Sequence, residues 1–258
     1  MARASLQIMR DTIHALIMRE LKTRFGSSKL GYFWALAEPA LQASVLAIMF
    51  SFIGRSSLSG VPVAVFMLVA LIPFKFFSKL LPQLAASVEA NKGLLAYRQV
   101  SPIDPFIARL LIEVATFILV YIILMSILAW LGFEVWPADL LEIISVSGLL
   151  MLLASGLGLL LCNAVLYWRD TPKLLGMIMT PMMFISGIFY SATMIPSQYW
   201  YLFTWNPLFH VIELSRDAMF VSYVTPVGDA YYVAFLALIF NATGLMLYQV
   251  NKHRFIAS

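Results

Sequence analysis

The chain has very little charge for its length. Of 258 residues, 17 are Lys or Arg and 13 are Asp or Glu, 12% in all, against roughly a quarter in soluble domains. One cysteine, Cys162, rules out an internal disulfide framework. The three histidines, His14, His210 and His253, fall on different membrane faces in the span reading below, so no histidine-based metal centre is expected. No GxxxxGK[ST] string occurs, and the chain therefore cannot cradle a nucleotide by the P-loop route. GxSxG, HExxH and CxxC are absent as well, and Ile185-Ser186-Gly187 has no base nearby on its side of the membrane. Catalysis is not expected. Nor is an inverted internal repeat of the secondary-carrier kind visible.

Apolar sequence is abundant instead. Hydrophobic residues make up 62% of the chain and aromatics 14%, and the mean hydropathy is +0.88. A water-soluble globule cannot hide that much apolar surface, so the chain reads as an integral membrane protein. The apolar runs lack the period-two alternation of barrel strands, which makes the fold all-α. Six candidate spans emerge: Trp34–Gly54, Val61–Leu84, Asp104–Leu131, Leu140–Tyr167, Pro172–Ile195 and Tyr231–Val250. Each reaches the roughly 20 residues that a helix needs to cross hydrocarbon. On this layout 15 of the 17 Lys and Arg fall on one side, with Arg55 and Arg216 on the other. The positive-inside rule then predicts cytoplasmic N- and C-termini. Charges interrupt any apolar core near the N-terminus, so a cleaved signal peptide is not expected.

Three segments are not expected to span. Ala4–Phe25 reads as a helix lying on the cytoplasmic face, with Leu6, Met9, Ile13, Leu16 and Ile17 on one arc. Glu20 falls inside that apolar arc, where a helix floating in lipid would avoid it. Arg10, Arg19 and Lys22 are candidate contacts to anionic lipid or to a cytoplasmic partner. Residues 85–100 form a connector longer than joining two helices requires, either an ordinary amphipathic loop or a partner-binding protrusion. It ends at Ser101-Pro102, and Asp104-Pro105 is expected to cap and restart the helix. Residues 197–220 suggest a re-entrant hairpin, an aromatic segment followed by a helix capped at Asn206-Pro207. His210, Glu213, Arg216 and Asp217 share one arc of that helix, as an ion-pair set holding the hairpin or as direct substrate contacts.

Charges inside the apolar runs are costly and call for partners or water. Lys75 and Lys79 lie four apart on the second span and could offer a cationic face to an anionic solute, or snorkel to the headgroups. Arg109 and Glu113 have the spacing of an ion pair along one helix. Tyr199, Trp200 and Trp205 are candidates for an interfacial belt or for an exit on which sugar faces stack.

The string SKLGYFWALAEP, Ser28 to Pro39, together with SGIFYSATMIP, Ser186 to Pro196, and NPLFHVIELSRDAMF, Asn206 to Phe220, resembles the permease subunits of type-2 ABC exporters, and within them the capsular-polysaccharide exporters. That resemblance implies a homodimer of six-helix halves above two copies of a separate ATPase chain, which would bind the ATP and magnesium. It implies export of a lipid-linked acidic polysaccharide across a bacterial inner membrane, with a periplasmic adaptor and an outer-membrane channel onward and no nucleic acid. It also implies roles: Ala4–Phe25 as interface helix, residues 85–98 as the site of the coupling helix, and residues 197–205 and 207–220 as gate helices. For coupling the candidates are Glu89, Lys92, Tyr97 and Arg98; for the interface helix, Arg10, Arg19 and Lys22. Candidates for the substrate path are Lys29, Lys75, Lys79, Arg109, Tyr199, Trp200 and Trp205. The same machine with O-antigen, teichoic acid or a small hydrophobic cargo remains open at this point. So does a secondary carrier or lipid scramblase.

Overall fold

The computed structural model describes residues 5–25, 31–52, 57–95, 97 and 99–257. Eight α-helices follow in chain order: α1 Ser5–Phe25, α2 Gly31–Phe52, α3 Val63–Ala85, α4 Ile103–Trp130, α5 Leu140–Val165, α6 Thr171–Ile185, α7 Pro207–Met219 and α8 Ala230–Ala257. A two-residue hairpin, β1 Ser57–Leu58 and β2 Val61–Pro62, precedes α3. In hydrocarbon each backbone N–H and C=O needs an internal partner, and helices provide one without help from neighbours. Among the described residues four helices are long and apolar enough to cross a membrane: Val63–Ala85, Ile103–Trp130, Leu140–Val165 and Ala230–Phe255. Two shorter apolar helices, Leu36–Phe50 and Thr171–Ile185, accompany them.

Helix α3 is the hub. Its apolar window is 78% buried, compared with 33% for α4 and 22% for α8, so α3 is walled by protein while the others turn flanks outward. It packs against α2, α4, α5, α6 and α7. Close approach to α5 depends on Gly158, where a Cβ would stand 2.5 Å from Leu84 Cδ1.

Helices α5 and α8 form the most intimate pair. At Gly156 a Cβ would lie 2.6 Å from the Asn241 nitrogen, and at Gly244 one would lie 3.2 Å from the Gly156 carbonyl oxygen. Small residues let the two backbones touch, and that proximity brings polar side chains within reach. Asn241 Nδ2 donates to Leu152 O at 2.8 Å, Asn251 Nδ2 to Asn163 Oδ1 at 3.2 Å, and the Tyr167 hydroxyl to Asn251 Oδ1 at 2.8 Å. Nothing local marks these asparagines as partners: Asn163 and Asn241 are isolated within apolar runs, and Asn251 stands beside the charged tail.

Several boundaries differ from expectation. The second span begins at Val63, not Val61, because Ser59 and Gly60 adopt positive φ of 50° and 80° and close the hairpin on Val61. The fifth stops at Ile185, ten residues before the expected Ile195. Gly187 then turns the chain with φ of 76°, and a Cβ there would strike the Phe209 ring at 2.8 Å. Asp104 is not the cap of α4. The helix starts at Ile103, and Asp104 Oδ2 reaches back to the Ser101 N–H at 2.8 Å. The last span, expected to end at Val250, continues as one helix to Ala257. Ile53, Gly54 and Arg55 lie outside the described residues.

The α5–α8 contact is open to a direct test. Gly156→Leu should cost on the order of 1–3 kcal/mol by overpacking, whereas Gly148→Ala, with nothing within 4 Å of the added methyl, should cost nothing and gain up to about 1 kcal/mol from helix propensity. Thermal unfolding in detergent, followed by size-exclusion recovery, reports the difference, and equal stabilities would refute the packing argument.

Candidate functional site

Two polar assemblies stand out from the apolar bulk, one at each end of α3. The first gathers around α1. Glu20 Oε1 meets Arg109 Nε at 2.8 Å with both side chains largely buried, and Arg109 Nη1 donates to Gln83 O at 2.8 Å. One guanidinium thus ties α1, the end of α3 and the start of α4. The carboxylate that looked misplaced on the apolar arc of α1 therefore points at protein. Arg109, expected to pair along its own helix, reaches across to α1. Arg19 Nη1 donates to Asn91 Oδ1 at 3.1 Å, and Asn91 Nδ2 to Ser87 O at 2.8 Å. Asn91 lies on a short 3-10 helix, Glu89–Leu94, the only helical piece that the structure gives to the connector among its described residues. Between α1 and this connector runs an open groove of about 900 Å³, lined by Ile8, Thr12, Leu16, Arg19, Leu94 and Tyr97.

The second assembly centres on α7. Asn206 caps this helix, its Oδ1 accepting from the Leu208 N–H at 3.0 Å, and Pro207 opens it as expected. Residues on nearly every side of α7 are buried, so protein surrounds it, the condition under which a non-spanning helix is tolerated at membrane depth. Glu213 and Arg216 are both 0% exposed and pair at 3.1 Å. Arg216 Nη1 also donates to Tyr190 O at 2.9 Å and Nη2 to Ile188 O at 3.0 Å, while its Cζ sits 3.7 Å from the centroid of the Phe66 ring on α3. Glu213 Oε1 accepts from the Ala192 N–H at 3.3 Å, and its Oε2 accepts from the hydroxyls of Thr225, at 3.2 Å, and of Tyr223. Burial and the adjoining Glu213 carboxylate raise the Tyr223 hydroxyl above its usual pKa. Burial likewise lowers that of Arg216, against the pull of Glu213.

Around this pair the hairpin is clamped to α8. His210 Nδ1 accepts from the Asp229 N–H at 3.2 Å and Nε2 lies 2.7 Å from Thr204 O, which assigns a neutral ring protonated at Nε2. Tyr232 lies tilted against that ring, 5.0 Å between centroids, and its hydroxyl donates to Trp205 O at 2.8 Å. Asp217 Oδ2 accepts from the Thr225 N–H at 3.0 Å.

Residues 11–220 match the family described as ABC-2 type transporter. The chain belongs to that family. It is similar to the polysialic acid transport protein KpsM of Escherichia coli, 36% identical over 100% of both chains. Its similarity to the capsule polysaccharide export inner-membrane protein CtrC of Neisseria meningitidis is 29%, over 93% of this chain and 91% of the other. The corresponding protein BexB of Haemophilus influenzae is 29% identical over 84% of this chain and 82% of that one.

In this ABC-2 chain the structure distributes the sequence candidates unevenly. Arg19 and Arg109 join the α1 clasp. Glu89 and Lys92 pair with each other at 2.6 Å, and Tyr97 is exposed beside the groove. Arg10 and Lys22 are exposed on α1, with Arg10 3.6 Å from Asp11. Lys29 and Arg98 lie outside the described residues. Lys75 and Lys79 share one carboxylate, Glu38 of α2, at 2.8 and 2.9 Å, so the cationic face carries one net positive charge rather than two. Glu38 was legible as the one carboxylate near the start of the first apolar run, and two intramembrane lysines require such a partner. Trp200 Nε1 donates to Ala192 O and Ile195 O, and Trp205 Nε1 to Leu202 O. Both indole N–H groups therefore fold their own hairpin, while Tyr199 is exposed. Tyr223 and Thr225 were missed, because nothing local marks a tyrosine ten residues beyond a glutamate as its partner.

Removing the carboxylate from α7 would strand a buried cation. Glu213→Ala should destabilise the protein by about 3–5 kcal/mol, and Glu213→Gln, which keeps an acceptor and the shape, by less. Denaturant unfolding in mixed micelles ranks the two, and an unchanged Glu213→Ala protein would show that the pair carries no weight.

Proposed function

We propose that this chain is the membrane-spanning subunit of an ATP-driven exporter that moves a lipid-linked acidic capsular polysaccharide from cytoplasm to periplasm. The observation that carries this reading is the end-to-end similarity to KpsM, 36% over the whole of both chains, because it covers the two polar assemblies as well as the apolar helices. In this reading α2, α3, α4, α5, α6 and α8 all cross the bacterial inner membrane, leaving both termini in the cytoplasm. Two copies form the conduit, with two copies of a separate ATPase chain beneath. A periplasmic adaptor and an outer-membrane channel take the polymer onward.

The energy route follows from the clasp. An ATPase seated in the groove between α1 and the connector would push on Arg19, Asn91 and Glu20, and Arg109 would pass that displacement to α3 at Gln83. Helix α3 is a buried rod from Gln83 to Phe66, about 25 Å at the usual rise per residue, and Phe66 lies against Arg216 of the gate. Movement at one end would thus reach α7 without crossing solvent. Along the path, the single net charge of Glu38, Lys75 and Lys79 would hold an acidic polymer loosely, which suits passage better than tight binding.

Two measurements test the reading. Glu20→Arg or Arg109→Glu alone should abolish export while leaving the ATPase bound to the permease, and the exchanged pair Glu20→Arg/Arg109→Glu should restore a substantial share. Failure of both single variants to affect export would refute the route. Lys75→Gln should lower the export of acidic polymer several-fold with assembly intact, and full export in that variant would remove Lys75 from the path.

A further inference from the structure

A large, almost wholly apolar cleft lies apart from the α1 clasp and reaches the end of α7 at Met219. It occupies about 680 Å³ between helices α4 and α5 beside their connection, within the roughly 300–1,000 Å³ range of small-ligand sites. Phe117, Met125, Val135, Ile143 and Met219 form its buried floor, and Ile122, Ile144 and Leu140 its exposed rim, with Trp136 90% exposed at the mouth. Along α4 the lining runs from Phe117 to Ala129, about 18 Å at the helical rise, close to half of the roughly 30 Å hydrocarbon thickness. The hydroxyl of Ser126, one of its few polar groups, is turned back onto Ile122 O at 2.7 Å. Such a cleft between membrane-crossing helices opens to hydrocarbon and offers nothing to a polar ligand.

The mouth carries the opposite chemistry. Glu134, Asp139 and Glu142 adjoin lining residues in the α4–α5 connection and the first turn of α5, and Asp217 is near enough to act electrostatically on Glu142. Among the described residues none of these four carboxylates makes an ion pair, and no Lys or Arg lines the cleft. An acidic rim repels an anionic polymer or an anionic lipid and attracts an ammonium. The floor also belongs to the gate: Ala138 and Asp139 donate their N–H groups to Met219 O, at 3.3 Å, and Ala218 O, at 2.9 Å.

We propose that this cleft is a resident-lipid site, taking one acyl chain of a zwitterionic phospholipid whose primary ammonium headgroup lies over Glu134, Asp139, Glu142 and Asp217. The occupant is a bilayer lipid, distinct from the exported cargo, and the site needs only that α4 and α5 cross the membrane. Through Met219 the bound chain steadies the C-terminal end of α7.

The purified chain, reconstituted with equimolar phosphatidylethanolamine and phosphatidylglycerol and returned to mild detergent, should retain one phosphatidylethanolamine per chain in native mass spectra, preferred about five-fold over phosphatidylglycerol. Gly148→Trp places an indole in the cleft, where nothing lies within 4 Å of an added Cβ, and should remove the bound lipid at unchanged elution and melting behaviour. Asp139→Asn/Glu142→Gln, which keeps an Asn at the α5 cap, should retain a lipid but lose the headgroup preference. That second variant keeps the test decisive if the tryptophan protein fails to fold. No retained lipid in the wild-type chain, equal retention in Gly148→Trp, or a preference for phosphatidylglycerol would each overturn the proposal.

Discussion

A charge that cannot reach water has to be neutralised where it sits, and Arg216 meets that demand with Glu213 on the preceding turn of the same helix. The remaining valences of the two groups then recruit the chain around them. Ile188 and Tyr190 give carbonyls to the guanidinium, and Ala192, Tyr223 and Thr225 give donors to the carboxylate. The connector after α6, the helix α7 and the loop before α8 are thereby held as one piece. Such a network ties specificity to stability, because a rearrangement of these segments would strand buried charged and polar groups.

The same constraint shapes the opposite end of α3. Glu20 and Arg109 fix α1 to α4, and Glu38 answers Lys75 and Lys79 between α2 and α3. Each of these pairs links different helices, so each can transmit displacement as well as neutralise charge. Helix α3, buried and in contact with most of its neighbours, is the element common to all three clusters. Between α5 and α8 the equivalent work falls to asparagines, which join helices without the desolvation cost of an ion pair.

Much of this was readable from residues alone. Four of the six apolar runs expected to span form helices long and apolar enough to cross a membrane, and the other two hold shorter apolar helices, since a stretch without water has only its own backbone to bond with. Asn206-Pro207 announced the start of α7 by capping chemistry that acts within three residues. The ion-pair spacing of Glu213 and Arg216 was also visible. Some boundaries differed from expectation: α6 ends before Gly187, whose positive φ turns the chain where a Cβ would strike Phe209, and Asp104 accepts from the Ser101 N–H three residues back, inside the helix and not at its cap. Lys75 and Lys79, expected to offer a cationic face, share Glu38, and Arg109, expected to pair along its own helix, meets Glu20; both carboxylates are distant in sequence from their partners.

Composition, hydropathy and charge placement determined by themselves that the chain is a helical membrane protein without a nucleotide-binding loop, for these follow from the transfer energetics of each segment taken separately. Partnership was decided only by the tertiary structure. Which carboxylate neutralises which cation, which helices approach closely enough for asparagines to bond, and where α4 and α5 part to leave a cleft all depend on distances between residues remote in sequence, and such distances are set by the packing of the whole bundle.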